Sequence, residues 1–305
     1  MLIWNVFTQV LLPILVMFGI GWLLDRRCRL DIGTLVKLNI YLFVPAFIFV
    51  QIVSSDLSAA LAVRVIAFSA AIIAGMFVLS AIVGRIMRYE RPQTRALQLA
   101  TMFYNSGNYG VPLMALAYPG VGAVLQVFII VAMNVTTFTV GLLLASSAEH
   151  RGWRAVLPML RQVSIWAVAA AFVIRAFDIP IQQVRWLWVP LEYFSDALVA
   201  IALVTLGAQI SHTERPKHLA RLGWALALRL IGGPLLACAL VGVFGFTGET
   251  AKIMILSASF PTAVNTALIA HEFNADAHFA ASAVFASTLL SMITVTALIA
   301  LLRVV

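Results

Sequence analysis

Two polar stretches interrupt apolar sequence that is long enough to cross a lipid bilayer. Residues 103–112 read FYNSGNYGVP, and residues 260–269 read FPTAVNTALI. Asparagine amides offer hydrogen-bond donors and an acceptor without a charge to desolvate, and proline removes a backbone donor that a continuous helix would need. A helix broken inside the membrane also exposes the positive N-terminal end of its second half, which favours an anion by about 0.3–2 kcal/mol. The two stretches therefore predict a site for a small anion near the bilayer midplane.

The residues expected at this site fall into two sets. The candidate substrate-binding residues are Asn105, Asn108, Asn265, Thr262 and Arg229. The residues expected to interrupt the helices are Gly110, Pro112 and Pro261. Glycine and proline are common in membrane helices, so a single stretch of this kind is explained equally well by a simple kink. Two breaks at corresponding positions of an internal repeat favour the binding site.

Arg229 is the most informative charged residue of the apolar sequence. It lies about 11 residues into a predicted span, or roughly 16 Å along a helix. A charge at that depth must be paired or hydrated. Two interpretations remain open at this point. In the first, the fixed charge has a functional role: it contacts an anionic substrate or replaces a coupling cation. In the second, the arginine is structural and binds the carbonyl groups that the broken helices leave free.

Other titratable residues give weaker signals. Glu192 and Asp196 are four residues apart and share a helix face, which could form a cation site, but their place in the outer part of a span favours interfacial solvation. His271, Glu272 and His278 do not have the compact spacing of a metal site. We therefore expect no metal.

The sequence also gives no sign of catalysis. The predicted spans hold no Ser–His, paired-Asp or metal constellation, and the chain has no nucleotide-binding loop. We therefore expect a protein that is not an enzyme, that needs no cofactor and that does not use ATP by itself.

The composition places these residues in a membrane. Of the 305 residues, 63% are hydrophobic and 10% are charged, and the mean hydropathy is +1.02. A soluble domain is typically about 25% charged, so the lipid bilayer must be the main solvent. We interpret the first apolar stretch as a retained span rather than a signal peptide. Counting this first stretch, the sequence contains ten candidate spans, at roughly 3–24, 33–53, 60–84, 95–118, 122–146, 155–176, 187–210, 218–243, 250–271 and 277–302.

The basic residues predict the orientation of the spans. Alternate connections hold fourteen of them, which are Arg26, Arg27, Arg29, Lys37, Arg85, Arg88, Arg91, Arg95, Arg151, Arg154, Arg161, Arg215, Lys217 and Arg221. The opposite side holds five, which are Arg64, Arg175, Arg185, Lys252 and Arg303. This asymmetry predicts a protein of the cell (inner) membrane, with the first set in the cytoplasm and both termini on the extracytoplasmic side. The net charge of +8 therefore reflects topology, and we expect no nucleic-acid partner.

The second half of the chain repeats the first. Like residues recur at offsets of 157 or 158, in three pairs of spans. The pairs are Phe103 with Phe260, Asn108 with Asn265, Gln51 with Gln209, Gly75 with Gly233 and Gly84 with Gly242. Because each half holds five spans, the halves would enter the membrane from opposite sides, which is a common build of secondary transporters.

These residues resemble the auxin efflux carrier family, within the superfamily of bile-acid-carrier-like and auxin-carrier-like transporters. The resemblance rests on NSGNYGVPL in span four and on SASFPTAVNTALIAHEFNADAHFAASAVFASTLLSMIT across spans nine and ten. Asn105 and the Gly110–Leu113 stretch match the family's asparagine and glycine-proline signature, and Pro261 matches the first proline of its ninth-helix crossover. Thr266 stands where plant carriers usually have a second proline, and the long central loop of many plant carriers is absent, so auxin is not implied.

The resemblance implies a fold and a mechanism. The fold class is an all-α integral membrane protein of ten transmembrane helices, built as two inverted five-helix repeats (residues 1–150 and 151–305) with broken crossover helices four and nine. Spans 1, 2, 6 and 7 would form a scaffold domain that joins a homodimer, and spans 3–5 and 8–10 a transport domain. The implied function is an elevator-type secondary carrier of small organic anions. The alternative is a sodium- or proton-coupled symporter or exchanger of the same fold.

Overall fold

The protein is mainly helical in the part of the chain that the computed structural model describes. That part is residue 4 and residues 7–55, 58–145, 163–211, 219–272 and 276–304. We number its main helices in chain order: α1 Phe7–Cys28, α2 Ile32–Val53, α3 Ala59–Ile86, α4 Arg91–Met102, α5 Gly110–Ala117, α6 Val121–Gly141, α7 Val163–Ala176, α8 Arg185–Ser211, α9 Leu219–Val241, α10 Gly248–Ser257, α11 Val264–Glu272 and α12 Ala277–Val304. A short helix, Leu142–Ala145, continues α6, and a single 3₁₀ turn, Ile181–Gln183, precedes α8.

Seven of these helices are long and apolar enough to cross a membrane, namely α1, α2, α3, α6, α8, α9 and α12. Their outer surfaces carry exposed apolar side chains such as Trp22, Val78 and Ile293, as a lipid-facing surface requires. The shorter apolar helix α7 begins directly after residues that lie outside the described ranges. The protein is thus an all-helical membrane protein, and the count of ten spans and the inverted orientation of its halves stay predictions.

Predicted spans four and nine are each divided in two. Span four is α4 and α5, separated by the non-helical residues 103–109, and span nine is α10 and α11, separated by residues 258–263. We call these two stretches the first and the second crossover segment. The interruptions expected from the sequence are therefore present at both positions.

Four membrane helices contain a π-helical turn, in which the helix widens by one residue. The turns are Phe7–Leu11, Asn39–Phe43, Thr137–Gly141 and Leu228–Gly232. Such turns re-aim side chains and often occur at functional sites. Three of them lie in α2, α6 and α9, and each contributes a polar side chain to the centre of the protein, described below.

The helices pack in two groups. The most extensive contacts of one group join α1 to α8, and α2 to both α7 and α8. In the other group α3 packs on α4 and α6, α9 packs on α10, and α11 packs on α12. Gly21 and Gly207 bring α1 and α8 close together, because a Cβ atom at either position would collide with the backbone of the facing helix. The groups meet where α2 contacts α6 and where α8 contacts α5.

Candidate functional site

The two crossover segments cross each other at the centre of the protein. Tyr104 and Thr262 form an isolated antiparallel β-bridge there. The backbone N–H of Asn105 donates to the carbonyl oxygen of Pro261 at 2.8 Å. Each segment therefore satisfies part of the backbone that the other leaves unpaired, which the apolar surroundings require.

Side chains from neighbouring helices hold the first segment in place. The Gln126 side chain of α6 is fully buried, and its Nε2 donates to the carbonyl oxygen of Ser106 at 2.6 Å. Gly110 begins α5 in close contact with this amide, since a Cβ atom there would lie 2.5 Å from Gln126 Nε2 and 2.6 Å from the ring of Phe260. The sequence suggested Gly110 as a helix breaker, and the structure gives it a steric role as well.

Arg229 binds the end of each first half-helix. It lies in the π-helical turn of α9 and has no exposed surface. Its Nη1 donates to the carbonyl oxygen of Thr101 at 2.6 Å, and its Nη2 donates to the carbonyl oxygen of Ala258. Thr101 and Ala258 are separated by the same 157 residues that relate the two repeats. The guanidinium also lies 5.0 Å from the centre of the Tyr104 ring.

This contact explains how a charge is tolerated at such depth. The C-terminal end of a helix carries roughly half a negative charge, so two converging ends offer about one negative charge in total. Arg229 meets that partial charge with directed hydrogen bonds. Of the two interpretations left open by the sequence, these contacts favour a structural arginine that satisfies the carbonyl groups of the broken helices.

A cavity of about 80 Å³ lies beside the crossing. Three of the predicted site residues, Asn105, Asn108 and Asn265, line it together. Thr262 and Arg229 are not part of this lining: Thr262 is buried, and its hydroxyl donates to the carbonyl oxygen of Ala100 at 2.7 Å.

The Asn105 amide is the least satisfied donor of the cavity. The residue is 6% exposed, and its Nδ2 has no hydrogen-bond partner among the described residues. Leaving a buried donor unpaired costs about 1–3 kcal/mol. An acceptor that enters the cavity and binds Asn105 Nδ2 would remove this cost.

The second half-helices begin at the same cavity. Gly107 and Asn108, just before α5, and Val264 and Asn265, at the start of α11, belong to the lining. Pro112 lies in the first turn of α5, where the backbone needs no donor. The positive ends of both second half-helices thus lie at the cavity, whereas Arg229 binds the negative ends of the two first half-helices.

Sequence reasoning missed the far wall of the cavity. It is formed by polar side chains of α2, α6, α7 and α8, namely Asn39, Asn134, Thr137, Ser164 and Gln209. Asn39 and Thr137 each begin a π-helical turn. The available signal was a polar residue within an apolar span, but a single such residue on one helix does not indicate what it faces.

The described lining contains no charged side chain and no histidine. Glu192 and Asp196 lie on the exposed face of α8, away from the cavity. The described residues also contain no group of three or more histidine, cysteine, aspartate or glutamate side chains that could hold a metal. His271 and Glu272 side chains lie outside what the structure describes. The site can therefore bind a ligand through amides, hydroxyls and helix ends.

Comparison with known proteins relates this chain to a membrane transport family and to two proteins named as transporters. The model of a family described as "Membrane transport protein" matches residues 6–156 and again residues 153–299. An "Uncharacterized transporter" from Methanothermobacter thermautotrophicus is 25% identical over 293 residues, which cover 94% of this chain and 95% of that protein. A "Putative malonate transporter" from Rhizobium meliloti is 24% identical and covers 97% of this chain and 96% of its own length. The two matched ranges together cover nearly the whole chain.

Proposed function

Because the chain belongs to the membrane transport protein family, we propose that it is a secondary carrier of small organic anions and that the cavity beside the crossing binds them. The observation that carries this proposal is the buried Asn105 amide, whose unpaired Nδ2 lines that cavity. A carboxylate oxygen would accept a charge-assisted hydrogen bond from this Nδ2, and such a bond is roughly twice as strong as a neutral one.

The surroundings of Asn105 favour an anion over a cation. The start of α5 and the start of α11 both lie at the cavity, and helix N-terminal ends stabilise negative charge. A cation would find no carboxylate in the described lining. The volume of about 80 Å³ suits a short aliphatic acid better than a large ring system. Malonate, which the name of the Rhizobium relative mentions, is therefore the first ligand to test.

An elevator movement would carry this site across the membrane. In this proposal α1, α2, α7 and α8 are the static scaffold, and α3–α6 with α9–α12 move as the transport domain. The grouping of the helix contacts supports this division. Asn105 and Asn265 would travel with the substrate, while Asn39 and Gln209 of the opposite wall would stay behind.

Replacing the crossover asparagines tests the site. A hydrogen bond to a charged ligand contributes about 1.5–3 kcal/mol, so Asn105→Ala and Asn265→Ala should each weaken malonate binding about tenfold or more, with expression and oligomer size unchanged. Titration calorimetry or ligand-induced thermal shift measures the effect. Thr266→Ala is the matched control, because Thr266 is adjacent to Asn265 but donates to the carbonyl oxygen of Ala263 and is not in the lining. Unchanged affinity in both asparagine variants would remove the crossing from the binding site.

Gradients across proteoliposomes separate the proposed carrier from the cation-coupled alternative. Uptake of labelled malonate is driven in turn by a malonate gradient alone, by a membrane potential, by a sodium gradient and by a pH gradient. We expect a malonate gradient or a membrane potential to be sufficient for uptake. If uptake requires a sodium or a proton gradient, the protein is a symporter or exchanger of the same fold instead of a simple carrier.

A further inference from the structure

The wall of the cavity opposite the crossing contains a second unpaired amide atom. Asn39 of α2 is 2% exposed and lines the cavity. Its Nδ2 donates to the hydroxyl of Thr205 on α8 at 3.1 Å. Its Oδ1 has no hydrogen-bond partner among the described residues. The cavity therefore has a free donor, Asn105 Nδ2, and a free acceptor, Asn39 Oδ1.

A ligand that displaces water from this buried acceptor binds best when it brings a donor of its own. A carboxylate has none, because both of its oxygens are acceptors. A hydroxyl group or a protonated carboxyl group has one. Asn39 begins a π-helical turn of α2 and is buried at the cavity rather than exposed at the lipid-facing surface.

The charge of the cavity leads to the same requirement. The described lining is neutral, and the two helix N-terminal ends together offer about one positive charge. One carboxylate matches that partial charge. A second carboxylate would lie in a buried site without a counter-charge, which is costly in a membrane.

We infer that Asn39 selects substrates with one negative charge and a hydrogen-bond donor at the other end, that is, short hydroxy acids or dicarboxylic acids with one carboxyl group still protonated. This inference rests on the proposed function and names its substrate class. The carboxylate binds at Asn105 and the half-helix ends, and the donor binds Asn39 Oδ1.

The test compares two acids of equal chain length, 3-hydroxypropionate and propionate, by titration calorimetry on the purified protein. A ligand that leaves a buried polar group unpaired loses about 1–3 kcal/mol, so 3-hydroxypropionate should bind roughly tenfold or more tightly than propionate. Asn39→Leu, which keeps the branching and the number of side-chain heavy atoms and removes the amide, should bring this ratio close to one and change propionate binding little. Thr205→Val should also lower the ratio, because it frees the Asn39 amide to turn.

Two further measurements separate recognition from general damage. Asn134→Leu replaces another asparagine of the lining, and we expect it to change binding of both acids alike and leave their ratio as in the wild type. Malonate affinity should fall as pH rises through the ionisation of its second carboxyl group, whereas propionate affinity should stay flat above its own ionisation.

Three outcomes would overturn the inference. Wild-type protein that binds both three-carbon acids equally, or that keeps its preference in Asn39→Leu, shows that Asn39 does not select. Malonate binding that strengthens as the second carboxyl group ionises shows that Asn39 offers its nitrogen to the cavity. Wild-type protein that binds none of the three acids refutes the proposed function itself, and this inference with it.

Discussion

Arg229 should hold the two broken helices together, and its replacement should cost stability before it affects substrate recognition. The change to test is Arg229→Gln, which removes the charge and the fork of donors. It leaves the carbonyl oxygens of Thr101 and Ala258 buried with no equivalent partner. Arg229→Lys keeps the charge but offers a single ammonium group in place of the fork.

The expected loss follows from the two contacts. Each hydrogen bond from a charged donor contributes about 1.5–3 kcal/mol, so both together contribute about 3–6 kcal/mol. That is a large part of the 5–15 kcal/mol by which proteins are typically stable. For a chain of this length, we expect the melting temperature of Arg229→Gln to fall by roughly 5–10 °C, and that of Arg229→Lys by about half as much.

Two adjacent glycines provide a test that leaves the arginine in place. A Cβ atom on Gly233 would collide with the Arg229 guanidinium and with the carbonyl oxygen of Ala258. A Cβ atom on Gly232 would meet its nearest neighbours at 3.8 Å, which is ordinary van der Waals contact. Gly233→Ala should therefore destabilise the protein in the same way as Arg229→Gln, and Gly232→Ala should not.

The assay is thermal unfolding of the purified protein, followed by malonate titration of each variant that remains folded. The reasoning fails if Arg229→Gln melts within about 1 °C of the wild type, since two charged hydrogen bonds cannot vanish without a larger effect. It also fails if this variant is as stable as the wild type but binds malonate much more weakly. Arg229 would then contact the substrate, which is the interpretation that its present contacts disfavour.

Two more predictions concern the crossing and the orientation of the chain. Gly110→Ala should lower stability, because its Cβ atom has no room, whereas Gly107→Ala should leave stability unchanged, because no atom lies within 4 Å of the added group. Equal effects of the two changes on the melting temperature would contradict the steric argument. In a background without native cysteines, single cysteines near Arg88 and Arg215 should resist membrane-impermeant thiol reagents in intact cells, and one near Ser55 should react. The reverse pattern of labelling would refute the orientation and the inverted repeat derived from it.

The interruptions of spans four and nine were predictable because their causes are local. Glycine, asparagine and proline act through their own backbone preferences, and they stand out in a stretch that is otherwise uniformly apolar. For the same reason the sequence placed Asn105, Asn108 and Asn265 near one another, since an internal repeat relates the two stretches. These three residues do line one cavity.

The opposite wall was not predictable in this way. Asn39 and Gln209 come from helices far from the crossover segments in sequence, and neither has a neighbour that marks it. Their meeting at the cavity depends on how α2 and α8 pack and on a π-helical turn that shifts the register of α2. Packing and register depend on contacts between helices, so no single stretch of sequence contains them.

The sequence by itself determined that the chain lies in a membrane, that it is helical, and where two of its spans break, because hydropathy and backbone propensity belong to each residue and its near neighbours. It also determined that Arg229 needs a partner at its depth. Only the tertiary structure decided which partner. The arginine could have faced the substrate or the backbone, and the crossing of the two segments brings the carbonyl oxygens of Thr101 and Ala258 within reach of one guanidinium. That convergence joins residues 101, 229 and 258, and it exists only when three separate helices are packed together.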